Sequence, residues 1–415
     1  MPGHLHLLRL WLREVAGIMF LSLSTLTMPA AGEAAETGAP DETLGRLEAA
    51  VLAQPDQPHI MLDLAQALLQ RARVSSNAAD SARARALVQR ALEKAPEDSR
   101  SWTLKAWDEM NRHRFSDALH SVRQAHSLSV PTAISLGLET DALVELGHYQ
   151  EAIAVTQKLL DTFPGLPANS RAAHLRMLHG DLPGAIALLS ESLGNTPVGS
   201  EAHAWALRQL AELYLDAGLL GNAEQALATA EQLFPAKVRD AALRARLREA
   251  QNQPAAALAL LLEALEAYPS PDYAVAAWKL ARQLGDRERM RRLELLLDGM
   301  ARLDASGDQL FRRAFAEYAL LRGRIGEAER LAREEFRVRP DVYSQALLAW
   351  VLRQSGQRRE AARHAEAALR LGTRDARLRH WVQGGGPRWQ LTDTRTRMLE
   401  LESGGSSRHP KWRTQ

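Results

Sequence analysis

The sequence predicts an all-α protein, folded as a right-handed α-solenoid of about nine helix-turn-helix repeats. Three observations predict this class: a composition dominated by Ala, Leu and Arg, the absence of long β-branched or alternating runs, and a pattern of small residues that recurs about every 34 positions. Ala and straight-chain residues lose little rotamer freedom in a helix, and sheets need the β-branched runs that this chain lacks.

The repeat is clearest at a small residue that is Ala in eight copies and Met in one. A small residue at this position lets two helices approach closely. The intervals between successive copies are 34, 34, 33, 38, 34, 33, 38 and 33 residues. The nine positions are Ala84, Ala118, Ala152, Ala185, Ala223, Ala257, Met290, Ala328 and Ala361.

Two turn-forming residues are in phase with this position. A Gly lies five residues before it in six copies, and a Pro lies twelve residues after it in six. Gly ends a helix because it enters the left-handed conformation without penalty, and Pro cannot continue one. The glycines are Gly147, Gly180, Gly218, Gly285, Gly323 and Gly356. The prolines are Pro96, Pro164, Pro197, Pro235, Pro269 and Pro340.

A second small residue, twelve positions before the first, completes the pattern. It predicts a first helix that ends at the Gly and a second helix that carries the recurring Ala. The matching residues are Ala106, Thr140, Ala173, Ala211, Ala245, Ala316 and Ala349.

This pattern over residues 41–373 resembles the tetratricopeptide repeat family, whose motif is W-x2-L-G-x2-Y…A-x3-F…P. The best copy has Leu207, Leu210, Ala211 and Tyr214 on the first helix, followed by Ala223, Leu227 and Pro235. We count nine helix pairs and a leading half-repeat that ends at Pro55. The resemblance implies that first helices line a concave surface, on which partners bind.

Several segments depart from the period. Residues 71–80 form an insertion that we expect to be an extended turn. In the copy at 271–304, Trp278 stands where a small residue belongs and Met290 replaces the Ala, so we expect a wider gap between those helices. Residues 374–415 are expected to be a flexible tail with a short helix near 375–382, and no capping helix is evident.

The first 32 residues resemble a secretory signal peptide. Arg9 and Arg13 precede an apolar stretch from Val15, and small residues around Ala30 and Gly32 form a cleavage site. The expected location is therefore periplasmic or secreted, in a bacterium. An uncleaved N-terminal membrane anchor is the alternative, and membrane contact would then be limited to this segment.

No motif for catalysis, metal or cofactor binding is present. The chain has no Cys, and its 13 His residues show no metal-binding spacing. The Arg-rich region 282–379 is interleaved with acidic residues three or four positions away, as in ion-paired helix faces. We therefore predict a non-enzymatic protein without metal or cofactor, whose partner is a peptide or protein rather than nucleic acid or a small molecule.

Charge is distributed unevenly along the chain. Residues 15–280 carry 22 basic and 31 acidic residues, whereas residues 281–415 carry 28 and 18. Differently composed solvated helix faces explain this asymmetry, and a bipolar surface that steers a charged partner is the alternative.

The candidate partner-binding residues lie on first helices, at positions expected to face away from the second helix. Exposed aromatic and Arg side chains in a groove are typical binding anchors. The alternative is that these rings pack between neighbouring repeats. The candidates are Trp107, Asp141, Glu145, Trp205, Arg208, Glu212, Arg313, Glu317, Tyr343 and Trp350.

The predicted function is a protein–protein interaction scaffold that binds its partner in the concave groove. An assembly or export factor for a cell-envelope complex is a specialised alternative. An intracellular or membrane-anchored adaptor is an alternative of a different kind, in which the first 32 residues are not a cleaved signal.

Overall fold

The computed structural model describes residues 40–75, 78–307 and 310–384. The predicted signal peptide and residues 385–415 lie outside this part of the chain. The described helices form two compact units that divide between Phe163 and Pro164. We call them the N-terminal unit and the C-terminal unit.

The N-terminal unit consists of a leading helix, α1, and three helix pairs, α2–α3, α4–α5 and α6–α7. In each pair the two helices pack along one another. The bounds are α1 Pro40–Ala53, α2 Pro58–Ser75, α3 Ala78–Lys94, α4 Ser99–Asn111, α5 Phe115–Leu128, α6 Ala133–Glu145 and α7 Tyr149–Thr162.

The C-terminal unit contains six helix pairs, from α8–α9 to α18–α19, and a final short helix, α20. The first three pairs are α8 Leu166–Leu178, α9 Leu182–Gly194, α10 Glu201–Ala217, α11 Leu220–Leu233, α12 Lys237–Ala250 and α13 Pro254–Ala267. The next helices are α14 Pro271–Gln283, α15 Arg287–Ala305, α16 Arg312–Leu321, α17 Ile325–Val338, α18 Val342–Gln354, α19 Arg358–Leu369 and α20 Ala376–Gln383.

The turn inside each pair uses the left-handed conformation that the glycines predict. All six phased glycines have φ between 70° and 82°. His113 and Asn252 stand at the same position in two other repeats and adopt φ of 55° and 59°. The repeat therefore imposes this turn even where the residue is not Gly, at a cost of about 1 kcal/mol for a side-chain-bearing residue.

The phased alanines and prolines also perform their predicted roles. All eight alanines of the recurring position are buried, and Met290 is half-buried. Each of the six prolines follows the end of a second helix, as Pro235 follows α11. The predicted all-α solenoid of tetratricopeptide-type pairs is confirmed, with three pairs in the N-terminal unit and six in the C-terminal unit.

The turn between α6 and α7 illustrates one repeat in detail. Gly147 has φ 71°, and the ring of Tyr149 is buried against the pair. His148 and Glu151 are both about half exposed and lie 3.3 Å apart, from imidazole Nδ1 to carboxylate Oε1. They are therefore surface residues of a helix start.

Two irregular segments can be compared with their predictions. The expected extended turn at residues 71–80 is wrong, because α2 continues to Ser75 and α3 begins at Ala78. Arg71 and Asp80 hold these helix ends together, with Nε–Oδ2 at 2.7 Å. The irregular copy behaves as expected, since α14 and α15 make the least extensive contact of the nine pairs.

The segment after α19 is more ordered than predicted. The short helix expected near residues 375–382 is α20, and its Leu378 and Trp381 are almost fully buried. The folded chain therefore continues beyond residue 373, to the left-handed Gly384 that ends α20. The sequence showed no helix covering this end of the repeats, and this expectation is wrong because α20 packs there.

Candidate functional site

The first helices of the C-terminal unit carry what we call the first-helix face. Neighbouring first helices contact one another from α8 through α10 to α12, and from α14 through α16 to α18. Polar side chains join the helices of this face, and α20 packs on it. The first-helix face therefore already carries one bound segment of the chain, α20.

A buried ion pair joins α10 to α12. Arg208 donates to Asp240, with Nε–Oδ1 at 2.5 Å, and also to the backbone oxygen of Phe234 at 2.6 Å. The Asp240 carboxylate accepts a further hydrogen bond from the Ala236 backbone N–H. Because both charged side chains are buried and multiply bonded, the pair fixes the spacing of these helices rather than offering a free charge.

A more open charge cluster lies further along the same two helices. Arg246 on α12 faces Asp216 at 3.3 Å and Glu212 at 3.8 Å. The Arg246 side chain is 50% exposed, whereas that of Asp216 is 19% exposed. Burial, with smaller contributions from the charges of Asp375 and Glu212, raises the pKa of Asp216 to about 7 despite Arg246.

The next two first helices are joined by Lys279 on α14 and Glu317 on α16, whose Nζ and Oε1 lie 3.1 Å apart. Burial alone would raise the pKa of Glu317. The positive charges of Lys279 and Arg377 have a larger effect than burial. The pKa of Glu317 is therefore lowered, and its carboxylate stays charged.

Arg313 joins α16 to α18. Its guanidinium donates to Asp341, with Nη2–Oδ1 at 2.9 Å, and to the hydroxyl oxygen of Ser344 at 2.8 Å. It also lies 5.8 Å from the ring centre of Tyr343 and 3.4 Å from Glu335. Since Asp341 also caps α18 by accepting from the Ser344 backbone N–H, one carboxylate sets both the helix start and the helix spacing.

The short helix α20 lies on α18. Asp375 caps its start by accepting from the Leu378 N–H, and it also accepts the hydroxyl hydrogen of Tyr343 at 3.0 Å. At the other end, the exposed Arg353 donates to the Val382 carbonyl oxygen at 2.6 Å. Both ends of α20 are thus held by side chains of α18.

Aromatic and cationic groups fill the space between these two ends. The Arg377 guanidinium lies 5.4 Å from the Tyr343 ring centre and 5.1 Å from that of Trp381. The His380 and Trp350 rings meet edge to face at 5.9 Å. Contacts of these kinds each contribute about 0.5–1.5 kcal/mol, so that α20 is held by several modest interactions.

The chain that leads into α20 touches the opposite end of the same unit. A Cβ placed on Gly180, in the turn between α8 and α9, would lie 2.5 Å from the Gly372 backbone oxygen. Thr373, the next residue, is 1% exposed. Residues 372–374 therefore pack against the α8–α9 turn before α20 crosses onto α18.

The structure places the predicted residues of the C-terminal unit on these contacts, but mostly buried. Trp205, Tyr343 and Trp350 are at most 4% exposed, so the rings pack between helices, which is the alternative that the sequence left open. Arg208 and Arg313 are buried in ion pairs, whereas Glu212 and Glu317 keep partial exposure. The structure brings Arg313 and Tyr343 together and joins Glu317, Tyr343 and Trp350 to α20.

The three predicted residues of the N-terminal unit are also buried. Trp107 on α4 is 3% exposed, and Asp141 and Glu145 on α6 are 6% and 5% exposed. The expectation that Trp107 is an exposed anchor is therefore corrected, and its large apolar ring accounts for its burial.

Sequence reasoning missed most of the partners of these residues. Each of these partners is a charged or apolar side chain on a neighbouring first helix, on α20 or at the N-cap of one of these helices. One signal was present, because Leu378 and Trp381 are spaced three apart and so share one face of a short helix. The missed residues are Asp216, Asp240, Arg246, Lys279, Asp341, Asp375, Arg377, Leu378 and Trp381.

Two further features of the described residues bear on function. Within residues 40–75, 78–307 and 310–384, no group of three or more His, Asp or Glu side chains is arranged to hold a metal ion. Over the same ranges, the helices are too short or too polar to cross a membrane.

Comparison with known proteins informs the fold. No protein-family model matches the chain, and no match was found among curated proteins. The human IFIT1 dimer with m7Gppp-AAAA is 18% identical and superposes with a TM-score of 0.51, over 80% of this chain and 76% of that chain. This likeness, at low identity, concerns the fold alone.

Two smaller solved structures match part of the chain. PilW, described as a widely conserved type IV pilus biogenesis factor, is 22% identical over 52% of this chain and 96% of its own, with a TM-score of 0.41. TTC0263, a tetratricopeptide protein of Thermus thermophilus, is 21% identical over 47% of this chain and 100% of its own, with a TM-score of 0.40.

Proposed function

We propose that this chain, whose helix pairs are tetratricopeptide-type repeats, is a non-enzymatic scaffold that binds a peptide or protein partner on its first-helix face. The observation that carries the proposal is that this face already holds a helix, α20, by its two ends and its side chains. A surface that binds one short helix has the hydrogen-bond donors, acceptors and apolar contacts to bind another of similar chemistry.

The buried and exposed members of the face have different roles in this proposal. Buried pairs such as Arg208–Asp240 fix the framework, so that the exposed groups are held in place before a partner arrives. Arg246 and Lys279, whose side chains are 50% and 33% exposed, are the charges available to a partner. Trp107, Asp141 and Glu145 are buried and belong to the framework of the N-terminal unit.

A protein partner fits this face better than nucleic acid. Binding to a phosphate backbone requires several unpaired basic side chains along one surface. Here the two exposed cations assigned to the partner each lie beside a carboxylate, Arg246 beside Glu212 and Asp216, and Lys279 beside Glu317. Alternating charges of this kind suit a peptide that carries both signs.

The proposed location is outside the cytoplasm, on the basis of residues 1–32. The alternatives are an assembly or export factor for an envelope complex and an adaptor that keeps its N-terminal segment. N-terminal sequencing of the protein from fractionated cells tests this part. A chain that begins near Glu33 supports export, whereas an intact Met1 in the cytosol overturns it.

Site-specific photo-crosslinking in living cells tests the scaffold itself. A photoreactive amino acid would replace Arg246 or Lys279 on the first-helix face. Matched controls would carry it at exposed positions of second helices, Gln225 on α11 and Glu266 on α13. We expect the first-helix positions to give discrete crosslinked protein bands that the controls lack. Equal crosslinking from both faces, or none from Arg246 and Lys279, would contradict the proposal.

A further inference from the structure

The position of α20 differs from that of the next helix in a regular repeat. In the preceding repeats, a new first helix packs mainly on the second helix before it, as α18 packs on α17 and α14 on α13. The short helix reverses this preference and packs mainly on α18, with less contact to α19. It therefore occupies the first-helix face instead of extending the series of pairs.

The electrostatic surroundings of α20 extend beyond α18. Its His380 is affected by the charges of Lys279 on α14 and Glu317 on α16. The charge of its Asp375 acts on Asp216 on α10 and on Arg246 on α12. The residues of α20 and its N-cap thus lie in the field of the exposed groups that the proposed function assigns to partner binding.

A helix of this length owes its structure to the surface beneath it. It has eight residues, whereas helices shorter than about 12–15 residues are marginal in water. Six residues, 370–375, connect it to the end of α19. Such a short tether gives a high effective concentration, so even weak contacts keep the helix in place until a stronger or more abundant competitor arrives.

We propose that α20 is an internal ligand of the first-helix face and that the partner is a short amphipathic helix of the same chemistry, which displaces it. The recognised pattern is an acidic N-cap, an Arg two residues later, a Leu three residues later and a Trp six residues later, as in Asp375, Arg377, Leu378 and Trp381. This inference rests on the proposed function, because it assigns the same face to the partner.

Each element of the pattern has a receptor on the face. The acidic N-cap accepts from the Tyr343 hydroxyl, and the Arg lies over the Tyr343 ring. Leu378 and Trp381 are buried to 0% and 1% exposure. Arg353 binds the carbonyl at the helix end and recognises the backbone of any helix that stops there. The side chain of Arg379, in contrast, is exposed and serves as a matched control.

The test uses the full chain and a fluorescent synthetic peptide of residues 372–384. In the variant Arg377→Ala/Trp381→Ala, the groove is unchanged but its internal ligand is weakened. We expect this variant to bind the native-sequence peptide at least about tenfold more tightly than the wild type, as measured by fluorescence anisotropy. The control Arg379→Ala should bind it as the wild type does, and a peptide with the Trp381→Ala change should not bind.

Hydrogen exchange on the wild-type chain provides a second measurement, which does not depend on how the double variant folds. An excess of peptide carrying Arg379→Ala, which differs in mass from the chain's own segment, should accelerate amide exchange in α20. The proposal is overturned if the peptide neither accelerates this exchange nor binds the folded double variant. It is also overturned if the wild type is a dimer that the double substitution dissociates, since α20 would then serve a second copy.

The two tests can fail independently. Peptide binding without crosslinks from Arg246 and Lys279 would support α20 as an internal ligand. It would contradict the proposal that an external partner binds this face. Crosslinks without peptide binding would support the scaffold and reject the mimicry by α20.

Discussion

The Tyr343 hydroxyl donates a hydrogen bond to the Asp375 carboxylate, with Oη–Oδ2 at 3.0 Å, and thereby joins α18 to the start of α20. Burial raises the pKa of Tyr343 well above its ordinary value, and the charge of Asp375 adds to that rise. The phenol therefore remains a proton donor across the physiological range. It holds the start of α20, as the bond from Arg353 to the Val382 carbonyl holds its end.

Replacing Tyr343 with Phe should loosen α20 without disturbing the packing of the ring. A hydrogen bond to a charged acceptor contributes about 1.5–3 kcal/mol. We therefore expect amide exchange in α20 to become about tenfold faster or more, with little change in α8–α17. Tyr318→Phe is the control, because that hydroxyl accepts from Arg322, the residue that caps the end of its own helix. Equal acceleration of α20 by both variants would show that the Tyr343 bond has no specific role.

The buried pair Arg313–Asp341 should be one of the most sensitive sites in the C-terminal unit. In Asp341→Asn the Arg313 guanidinium keeps Glu335, at 3.4 Å, as its ion-pair partner. Leaving a buried charge with a poorer partner typically costs about 3–5 kcal/mol, and Glu335 places the expected loss toward the lower end. The free energy of unfolding, measured with denaturant, checks this value.

A surface pair on the adjacent helix provides the control for that measurement. Arg330 and Glu334 on α17 form an i,i+4 pair at 3.0 Å, and the Arg330 side chain is 58% exposed. Because such pairs are solvated, Glu334→Gln should change stability by less than about 0.5 kcal/mol. Similar losses for Asp341→Asn and Glu334→Gln would show that burial does not set the strength of the Arg313 contact.

The repeat itself was largely predictable, because its turn, its close contact and its helix end each require a distinct residue type. The sequence alone predicts that Gly285 ends a first helix and that Pro235 follows the end of a second helix. The turn at His113 could not be predicted in this way, since a left-handed conformation is uncommon for any residue other than Gly. The repeat imposes it there. The conformational preferences of Gly and Pro thus revealed the period of the repeat. Packing between helices imposes the same turn on the copies that lack the Gly.

The site was less predictable, for a geometric reason. Arg208, Arg313 and Tyr343 lie on first helices, as predicted. Their side chains face away from the second helix but are nevertheless buried. Those side chains turn toward the next first helix and find partners such as Asp240, 32 residues away in sequence. A partner at that distance cannot be chosen from spacing alone, and the place of α20 depends on the whole first-helix face.

His174 on α8 should make the C-terminal unit sensitive to mild acid. Burial lowers its pKa to about 4 from an ordinary value of 6.5, although Asp341 and Asp375 act in the opposite direction. A lowered pKa means that the unfolded chain takes up the proton first, so stability is lost as the pH falls from about 6.5 toward 4. Relative to His174→Gln, the wild type should lose about 2 kcal/mol between pH 7 and pH 5, in denaturant unfolding.

Asp216 should give a pH dependence of the opposite sign. Its pKa is raised, by burial first, from 3.8 to about 7, so the folded chain holds a proton that the unfolded chain has released. Stability from this group is present at low pH and is lost as the pH rises through about 7. Relative to Asp216→Asn, the wild type should therefore weaken from pH 5 to pH 8. A parallel response of Asp216→Asn and His174→Gln would refute both assignments.

Gly180 and Gly285 occupy the same turn position but should respond differently to Ala. Both have positive φ, of 80° and 70°, so Ala should cost each about 1–2 kcal/mol in backbone strain. A Cβ on Gly285 meets nothing within 4 Å, whereas one on Gly180 would lie 2.5 Å from the Gly372 carbonyl oxygen. Because backbone must then shift, Gly180→Ala should cost more stability than Gly285→Ala and should also displace the segment that leads into α20.

Amide exchange in residues 372–383 separates the two effects: it should rise in Gly180→Ala and stay unchanged in Gly285→Ala. Unchanged exchange in both variants would mean that the α8–α9 turn does not hold α20 in place.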